Sequence, residues 1–220
     1  MQISPVTRSK SEARTAYDRM SRMYNLLAGS SEAPLMQQGL EMLAVREAES
    51  VLEIGCGTGK AMSALGAQVG GMGQVHGIDL SRGMLRVAHD MLAKTDLPHR
   101  MTLVEGDGAW LPYQNASFTA VFLSFTLELF DTPEIPLVLA ECRRVLIPSG
   151  RLGVVSMLKT AHPGWVVRLY EWFHAHLPSF VDCRPIEVHT LIQTAGFRLD
   201  NLQTRSMWGL PVEVVLAKKT

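Results

Sequence analysis

The sequence predicts a doubly wound α/β domain: a mostly parallel sheet with helices on both faces and an antiparallel hairpin at one edge. Three observations predict it. From about residue 50 to 158, short apolar runs alternate with amphipathic stretches, as successive βαβ units require. One run, FTAVFLSF, is almost continuously apolar, as a strand covered on both faces must be. The chain then closes on RLDNLQTRS and VEVVLAKK, two strand-like runs separated by a short Gly-Pro turn.

Each element follows in order. Over residues 9–28, Tyr17, Met20, Tyr24 and Leu27 recur at helical spacing. A second helix is expected over about 34–47. ESVLEIG is an apolar strand ending in glycine, and a helix follows from about Lys60. GQVHGIDLS is a strand ending at Asp79, with Ser81 placed to cap a helix running to about Lys94. MTLVEGD and FTAVFLSF are the third and fourth strands. PEIPLVLAECRRVL is a helix with Pro133 near its start. Pro148, Ser149 and Gly150 make a turn into the fifth strand, RLGVVSM. HPGWVVRLYEWFHAHLPSF reads as a helical insertion, and IEVHTLIQTAGF as a helix ending at Gly196.

Composition excludes several function classes. Hydrophobic residues make up 47% and charged ones 19%, enough for a sizeable core. Lys plus Arg equals Asp plus Glu at 21 each, so the chain has no electrostatic reason to seek nucleic acid. Cys56, Cys142 and Cys183 are odd in number and far apart, which indicates neither a disulfide framework nor a Cys-x-x-Cys metal site. Reduced thiols in a cytoplasmic protein are expected instead. The polar start, MQISPVTRSKSEART, has no apolar signal region. No run approaches the ~20 apolar residues needed to span a bilayer, which leaves peripheral contact open.

The chemistry centres on VLEIGCGTG. Gly55, Gly57 and Gly59 alternate between a strand and a helix, a turn that presents backbone amides and a helix N-terminus to a ligand. The dinucleotide pattern G-x-G-x-x-G/A is not met, because its last position falls on Lys60 or Met62. A Walker lysine is absent too, since Ala61 follows Lys60. A tight βα turn alone would also use such glycines. Asp79, about 20 residues on, stands where a ribose-binding carboxylate belongs, and its two oxygens can take both ribose hydroxyls. Asp107 in EGDGAWLP follows the third strand at the same edge of the sheet. Either acid alone would be more simply a helix cap or a solvated loop residue. The three in this order point to a ligand.

Glu53-Ile-Gly55-Cys-Gly57-Thr-Gly59, Gly77-Ile-Asp79-Leu-Ser81, Glu105-Gly-Asp107-Gly-Ala-Trp-Leu111-Pro112 and LAECRRVLIPSGRL together resemble a class I S-adenosylmethionine-dependent methyltransferase over about residues 50–158. The terminal AGF and edge hairpin resemble that family as well. The resemblance implies a seven-stranded sheet of order 3-2-1-4-5-7-6 with strand 7 antiparallel. It implies S-adenosylmethionine as cofactor and S-adenosylhomocysteine as product. Gly55, Gly57 and Gly59 would let the backbone approach the cofactor's amino acid part, and Glu53 would orient that loop. Asp79 would grip the ribose, and Asp107 with Gly108 would face the adenine. Ser124 would contact the methionine amino group through its backbone, and Cys56, Leu80, Met84 and Ala109 would complete the cofactor set. Tyr17-Asp-Arg-Met, Tyr24-Asn-Leu-Leu and VHTLIQTAGF look most like enzymes acting on quinone precursors and lipids. Thr119 stands where an acid is often found in the family, which speaks against a metal-dependent, catechol-type member.

Absences narrow the acceptor. The fourth strand ends in SFTLEL rather than Asn-Pro-Pro-Tyr, the motif of enzymes that methylate exocyclic amines, and no Pro-Cys pair offers a nucleophile. Cys56 reads as a small packing residue. Glu128, just past the fourth strand, is equally a catalytic candidate or a loop carboxylate, and Tyr17 and Tyr24 are the other candidates. His162, His174, His176 and His189 gather after the fifth strand. His174 and His176 are two apart, on different helix faces, and suit a metal poorly. Trp165, Leu169, Trp172, Phe173 and Leu177 form an apolar stripe that packs onto the domain as a cap, lines an acceptor pocket, or both.

The expected organisation is an N-terminal helical lid, residues 1–48, on a cofactor-binding domain, 49–220, with a helical cap over about 160–182. The expected activity is methyl transfer to a small, apolar or lipid-like acceptor: a quinone precursor, a phospholipid head group or another small metabolite. Two alternatives stand beside it. One is a non-catalytic S-adenosylmethionine-binding partner protein. The other is a nicotinamide-dependent oxidoreductase, against which the glycine spacing and the Asp107 segment speak.

Overall fold

In the computed structural model, which describes residues 10–21, 29–95, 100–160 and 184–220, seven strands form one sheet of order β3-β2-β1-β4-β5-β7-β6. The strands are β1 Ser50–Ile54, β2 Gln74–Asp79, β3 Met101–Glu105, β4 Phe118–Ser124, β5 Leu146–Met157, β6 Phe197–Met207 and β7 Leu210–Lys219. Strands β1 to β5 pair in parallel, while β7 runs antiparallel to both β5 and β6. The implied order and the antiparallel edge hairpin are therefore observed. The expected turn at Pro148–Gly150 is an irregularity inside β5: Ser149 has φ 61°, and the β4–β5 register shifts between Phe118 and Ala120. The hairpin tip is Trp208–Gly209, both with positive φ, one residue ahead of the Gly-Pro turn read from sequence.

Period-two alternation divides the core into two layers. Leu52, Ile54, Val121, Leu123 and Val154 face α5 (Ile135–Val145) and α6 (Val188–Thr194). Val51, Val75, Ala120, Phe122 and Val155 face α2 (Gly29–Leu43) and α3 (Lys60–Val69). The remaining helices are α1 (Lys10–Met20) and α4 (Arg82–Leu92). Ser81 caps α4 as expected: its hydroxyl accepts from the Met84 N–H at 3.1 Å. Helix α2 begins five residues before the expected start, with Pro34 inside it, and Ala44 at φ 50° marks its end.

The direction of α2 matters for the site. Gly39 packs against Val155 and Phe122, and Arg151 Nε donates to the Leu43 carbonyl at 2.9 Å. Since Arg151 precedes Val155 in β5, α2 runs opposite to β5. Its first turns thus reach the carboxyl ends of β4 and β5. Tyr24 and the stripe from Trp165 to Leu177, with His162, His174 and His176, lie outside the described residues.

Candidate active site

A cavity of about 490 Å³ opens along the carboxyl ends of the parallel strands. It is lined at β1 by Glu53 and Gly55 to Thr58, at β2 by Asp79 to Ser81, after β3 by Gly106 to Gly108, and at β4 by Ser124 to Thr126. This is the edge where ligands bind in open α/β sheets. Of the residues implicated from sequence, Glu53, Gly55, Cys56, Gly57, Asp79, Leu80, Met84, Asp107, Gly108, Ser124 and Tyr17 line it. Gly59, Ala109 and Glu128 do not.

The three glycines have different tasks. A Cβ on Gly55 would stand 2.3 Å from Thr126 Cγ2, and one on Gly59 would stand 3.1 Å from Ala88 Cβ. Both contacts are packing inside the chain. A Cβ on Gly57, at φ 51°, would meet nothing within 4 Å, so this backbone is bare toward the cavity. Gly57 is where a ligand can touch the main chain.

The acids are equally distinct. Asp79 accepts from the Gly57 N–H at 2.8 Å through Oδ2 and from the Ser81 N–H at 2.8 Å through Oδ1. It shapes the glycine loop, and each oxygen keeps a lone pair for a hydroxyl. Burial raises its carboxyl pKa despite those two bonds. Glu53 is fully buried beneath the loop. Burial, with the neighbouring Asp79 charge, raises its pKa well above the ordinary carboxylate range, while the Met62 N–H opposes this. Glu53 Oε2 has no hydrogen-bond partner among the described residues. A buried orphan acceptor is costly, and a cationic group in the cavity would relieve it. Cys56 is buried and its thiol pKa is pushed up by burial and by the charges of Asp79 and Glu53, so it is held protonated.

Asp107 accepts from the Ala109 N–H at 2.9 Å and pairs with Lys10, whose Nζ also meets Glu134 at 2.5 Å. Helix α1 is thereby tied across the cavity mouth. Further ties run from Arg14 to Glu105 at 3.0 Å, and from Asp18 Oδ1, which accepts from the Ser81 hydroxyl at 2.6 Å and the Gly83 N–H at 2.8 Å. Gly108 is wedged between Ile54 and Phe130, with no room for a Cβ. Ser124 offers its carbonyl to the Thr126 hydroxyl at 3.0 Å.

Glu128 is fully buried, and its Oε1 accepts from the Met157 N–H at 3.2 Å. Burial pushes its pKa up to about 7. It stands behind the cavity wall, because the turn at Leu127–Leu129 carries its side chain toward β5. His189 pairs with the buried Glu213 at 2.8 Å and is not part of the lining. Thr119 donates to the Ser50 carbonyl at 2.9 Å.

Several cavity-lining residues escaped the sequence. Lys10, Arg14, Glu32, Ala33 and Met36 reach the cavity from α1 and α2, and Phe125, Leu129 and Phe130 line it from the segment after β4. Phe125 sits at φ 51°, an uncommon conformation for a bulky residue and one that clusters at functional sites. Arg184, 1% exposed, braces this segment: it donates to the Glu128 carbonyl at 3.2 Å, to the Phe130 carbonyl, and to Thr132 Oγ1 at 2.9 Å. No motif announces these residues: those of α1 and α2 arrive from elements distant in sequence, and those after β4 are ordinary apolar residues.

A sheet of this order, with a bare glycine loop at β1 and acids ending the next two strands, defines an α/β protein that holds a nucleoside-bearing cofactor. Comparison with known proteins gives the particular kind. A family model described as a methyltransferase domain matches residues 51–150. Demethylmenaquinone methyltransferase of Anoxybacillus flavithermus is 30% identical over 166 residues, covering 74% of this chain and 68% of that protein. The protein of that name from Listeria monocytogenes serotype 4a is 28% identical over 165 residues, covering 75% and 67%. Among solved structures, the [4+2]-cyclase SpnF superposes with TM-score 0.77 at 18% identity, covering 99% of both chains. The 1,6-didemethyltoxoflavin-N1-methyltransferase of Burkholderia thailandensis does so at 0.70 and 17%, covering 99% of this chain and 95% of that one. These structures share the fold. The chain belongs to the class I S-adenosylmethionine-dependent methyltransferases.

S-adenosylmethionine is thus the cofactor, and the residues present fit it. Gly57 leaves space against the main chain, the orphan oxygen of Glu53 could accept from an ammonium, and Asp79 would have acceptors to spare for ribose hydroxyls. The cofactor supplies a methyl group already activated on a sulfonium, so the protein's own task is orientation and exclusion of water. The nicotinamide alternative and the non-catalytic one are set aside. Among the described residues, no helix is long and apolar enough to cross a membrane.

Proposed function

We propose that the protein methylates a ring carbon of a quinone-type acceptor in its reduced, hydroquinone form. The observation that carries this reading is the apolar part of the cavity lining. Besides the glycine loop and its acids, the cavity is lined by Met36 of α2, by Phe125 and Leu129 after β4, by Phe130 beside Gly108, and by Tyr17 of α1. A flat apolar ring suits such walls. The names of the sequence relatives, demethylmenaquinone methyltransferases, support the same class. The reduced form follows from chemistry: a methyl on a sulfonium is an electrophile, and a hydroquinone ring is electron-rich where a quinone ring is not. Residues 1–48, on this reading, are a lid whose α1 ties across the cavity exclude water once both substrates are in place.

The test is transfer of labelled methyl from S-adenosylmethionine to a short-tailed 1,4-naphthohydroquinone, kept reduced with dithionite. A phospholipid with an ethanolamine head group and the oxidised naphthoquinone serve as comparisons. Label in the naphthohydroquinone ring carbon alone is the expected result. Label on oxygen, or in the phospholipid instead, would refute the reading.

A further inference from the structure

We propose that Glu53 carries a proton before the cofactor binds and gives it up to solvent when the cofactor's ammonium arrives, so that cofactor binding is coupled to proton release. This concerns the cofactor alone and is independent of the acceptor. The observation behind it is a pair of carboxyls on neighbouring strands. Glu53 on β1 pairs with Gly77 on β2, two residues before Asp79, so the alternation of side chains puts both acids toward the same face. Both line the cavity.

The backbone decides which of the two keeps its charge. Asp79 accepts from the Gly57 N–H at 2.8 Å on one oxygen and from the Ser81 N–H at 2.8 Å on the other. Glu53 is 4% exposed, is met by the amide of Met62 in the first turn of α3, and has no hydrogen-bond partner for Oε2 among the described residues. A carboxylate out of water needs donors on both oxygens, and a like charge beside it adds to the cost of ionising. Asp79 meets the first need and Glu53 does not. The proton of the pair therefore sits on Glu53.

Strands β2 and β4 and helix α3 pack against β1. Strand β4 brings no titratable side chain. On β2, His76 shares the period of Ile78 and faces the α5–α6 layer, away from Glu53, which shares the period of Val51. The loop and α3 bring Cys56, whose thiol is held protonated, and Lys60. Across the cavity stand Glu32 of α2 and, on α1, Lys10 and Arg14, which are tied to Asp107, Glu134 and Glu105. Burial and the Asp79 charge together hold the Glu53 carboxyl well above its ordinary range. An ammonium changes this balance, because it supplies the missing donor for Oε2 and a positive charge beside both acids. The O–H bond of Glu53 breaks, its electron pair stays on the carboxylate oxygen, and the proton goes to solvent. The ammonium keeps its own protons. A plainer arrangement, in which a protonated Glu53 only accepts from the ammonium, releases nothing.

Calorimetric titration of the full-length protein with S-adenosylhomocysteine, repeated at one pH in buffers of different ionisation heat, counts the protons released. This product carries an ammonium but no sulfonium, so the count reports the amino acid end. At about pH 6 the wild-type protein should release about one proton per ligand bound, and affinity should rise about tenfold from about pH 5.5 to about 6.5. Glu53→Gln keeps the shape of the side chain and cannot ionise. It should release none, bind at least about tenfold more weakly at about pH 6.5, and show level affinity across that range. A wild-type count near zero would overturn the inference, and that measurement needs no variant to fold. An undiminished count in Glu53→Gln would overturn it too, by assigning the proton to Asp79 or to the ligand's own amine.

Discussion

Gly57→Ala and Gly55→Ala add the same methyl group to the same loop, and their outcomes should differ. Both glycines have positive φ, 51° and 71°. An alanine in that region costs about 1–2 kcal/mol. At Gly57 this is the whole cost to the fold, because the new Cβ meets nothing within 4 Å. For a domain of this size it lowers Tm by about 2–8 °C. At Gly55 the new Cβ also stands 2.3 Å from Thr126 Cγ2 and 2.4 Å from its hydroxyl. Overpacking of that kind adds about 1–3 kcal/mol, which roughly doubles the fall in Tm. Ligand binding should rank the other way per folded molecule. If the cofactor lies against Gly57 as proposed, the new methyl group fills that space, and S-adenosylhomocysteine should bind at least about tenfold more weakly, or about 1.4 kcal/mol. Thermal melts without ligand and calorimetric titration at 10 °C below each Tm, about where the variants stay folded, separate the two effects. Wild-type affinity in folded Gly57→Ala would refute the reasoning. So would a melt in which Gly57→Ala is the less stable of the pair.

Asp79→Ala removes the acceptor for two backbone amides and the proposed acceptor for the ribose, and should weaken S-adenosylhomocysteine binding at least about tenfold in calorimetry while the circular dichroism stays native; unchanged affinity would exclude a ribose role. Glu128→Gln should change stability with pH. The folded chain holds the Glu128 proton up to about 7, whereas the unfolded chain loses it near 4.5, so stability falls as pH rises through that window. At about 1.4 kcal/mol per pH unit, the variant should gain up to about 3 kcal/mol over wild type at pH 8 and nothing at pH 4.5 in urea titrations; parallel curves would disprove it. Hydrogen exchange of residues 10–21 should slow on S-adenosylhomocysteine binding and quicken in Asp18→Ala, which loses the bonds to Ser81 and Gly83. Equally high protection with and without ligand would make α1 a permanently packed helix rather than a lid.

Local patterns in the sequence suffice for the sheet and for the edge that carries the glycine loop and its acids. Strand and helix periods are local, and so are the Ser81 cap and the spacing from Gly55 to Asp79 to Asp107. Right-handed parallel crossovers leave few ways to connect them. Tertiary structure decided what each of those residues does. Gly57 faces open space and Gly55 does not only because Thr126, from the end of β4, lies against one of them. Asp107 is met by Lys10, 97 residues earlier in the chain. Glu128 reads from its position as an acceptor-side acid, yet the turn after β4 rotates it behind the wall. Glu32 has no motif around it and reaches the cavity because Leu43 is fixed to Arg151 at the far end of the same helix. Helix direction and facing are set by such long-range contacts. A side chain's role in a cavity built from so many elements is therefore not a local property of the sequence.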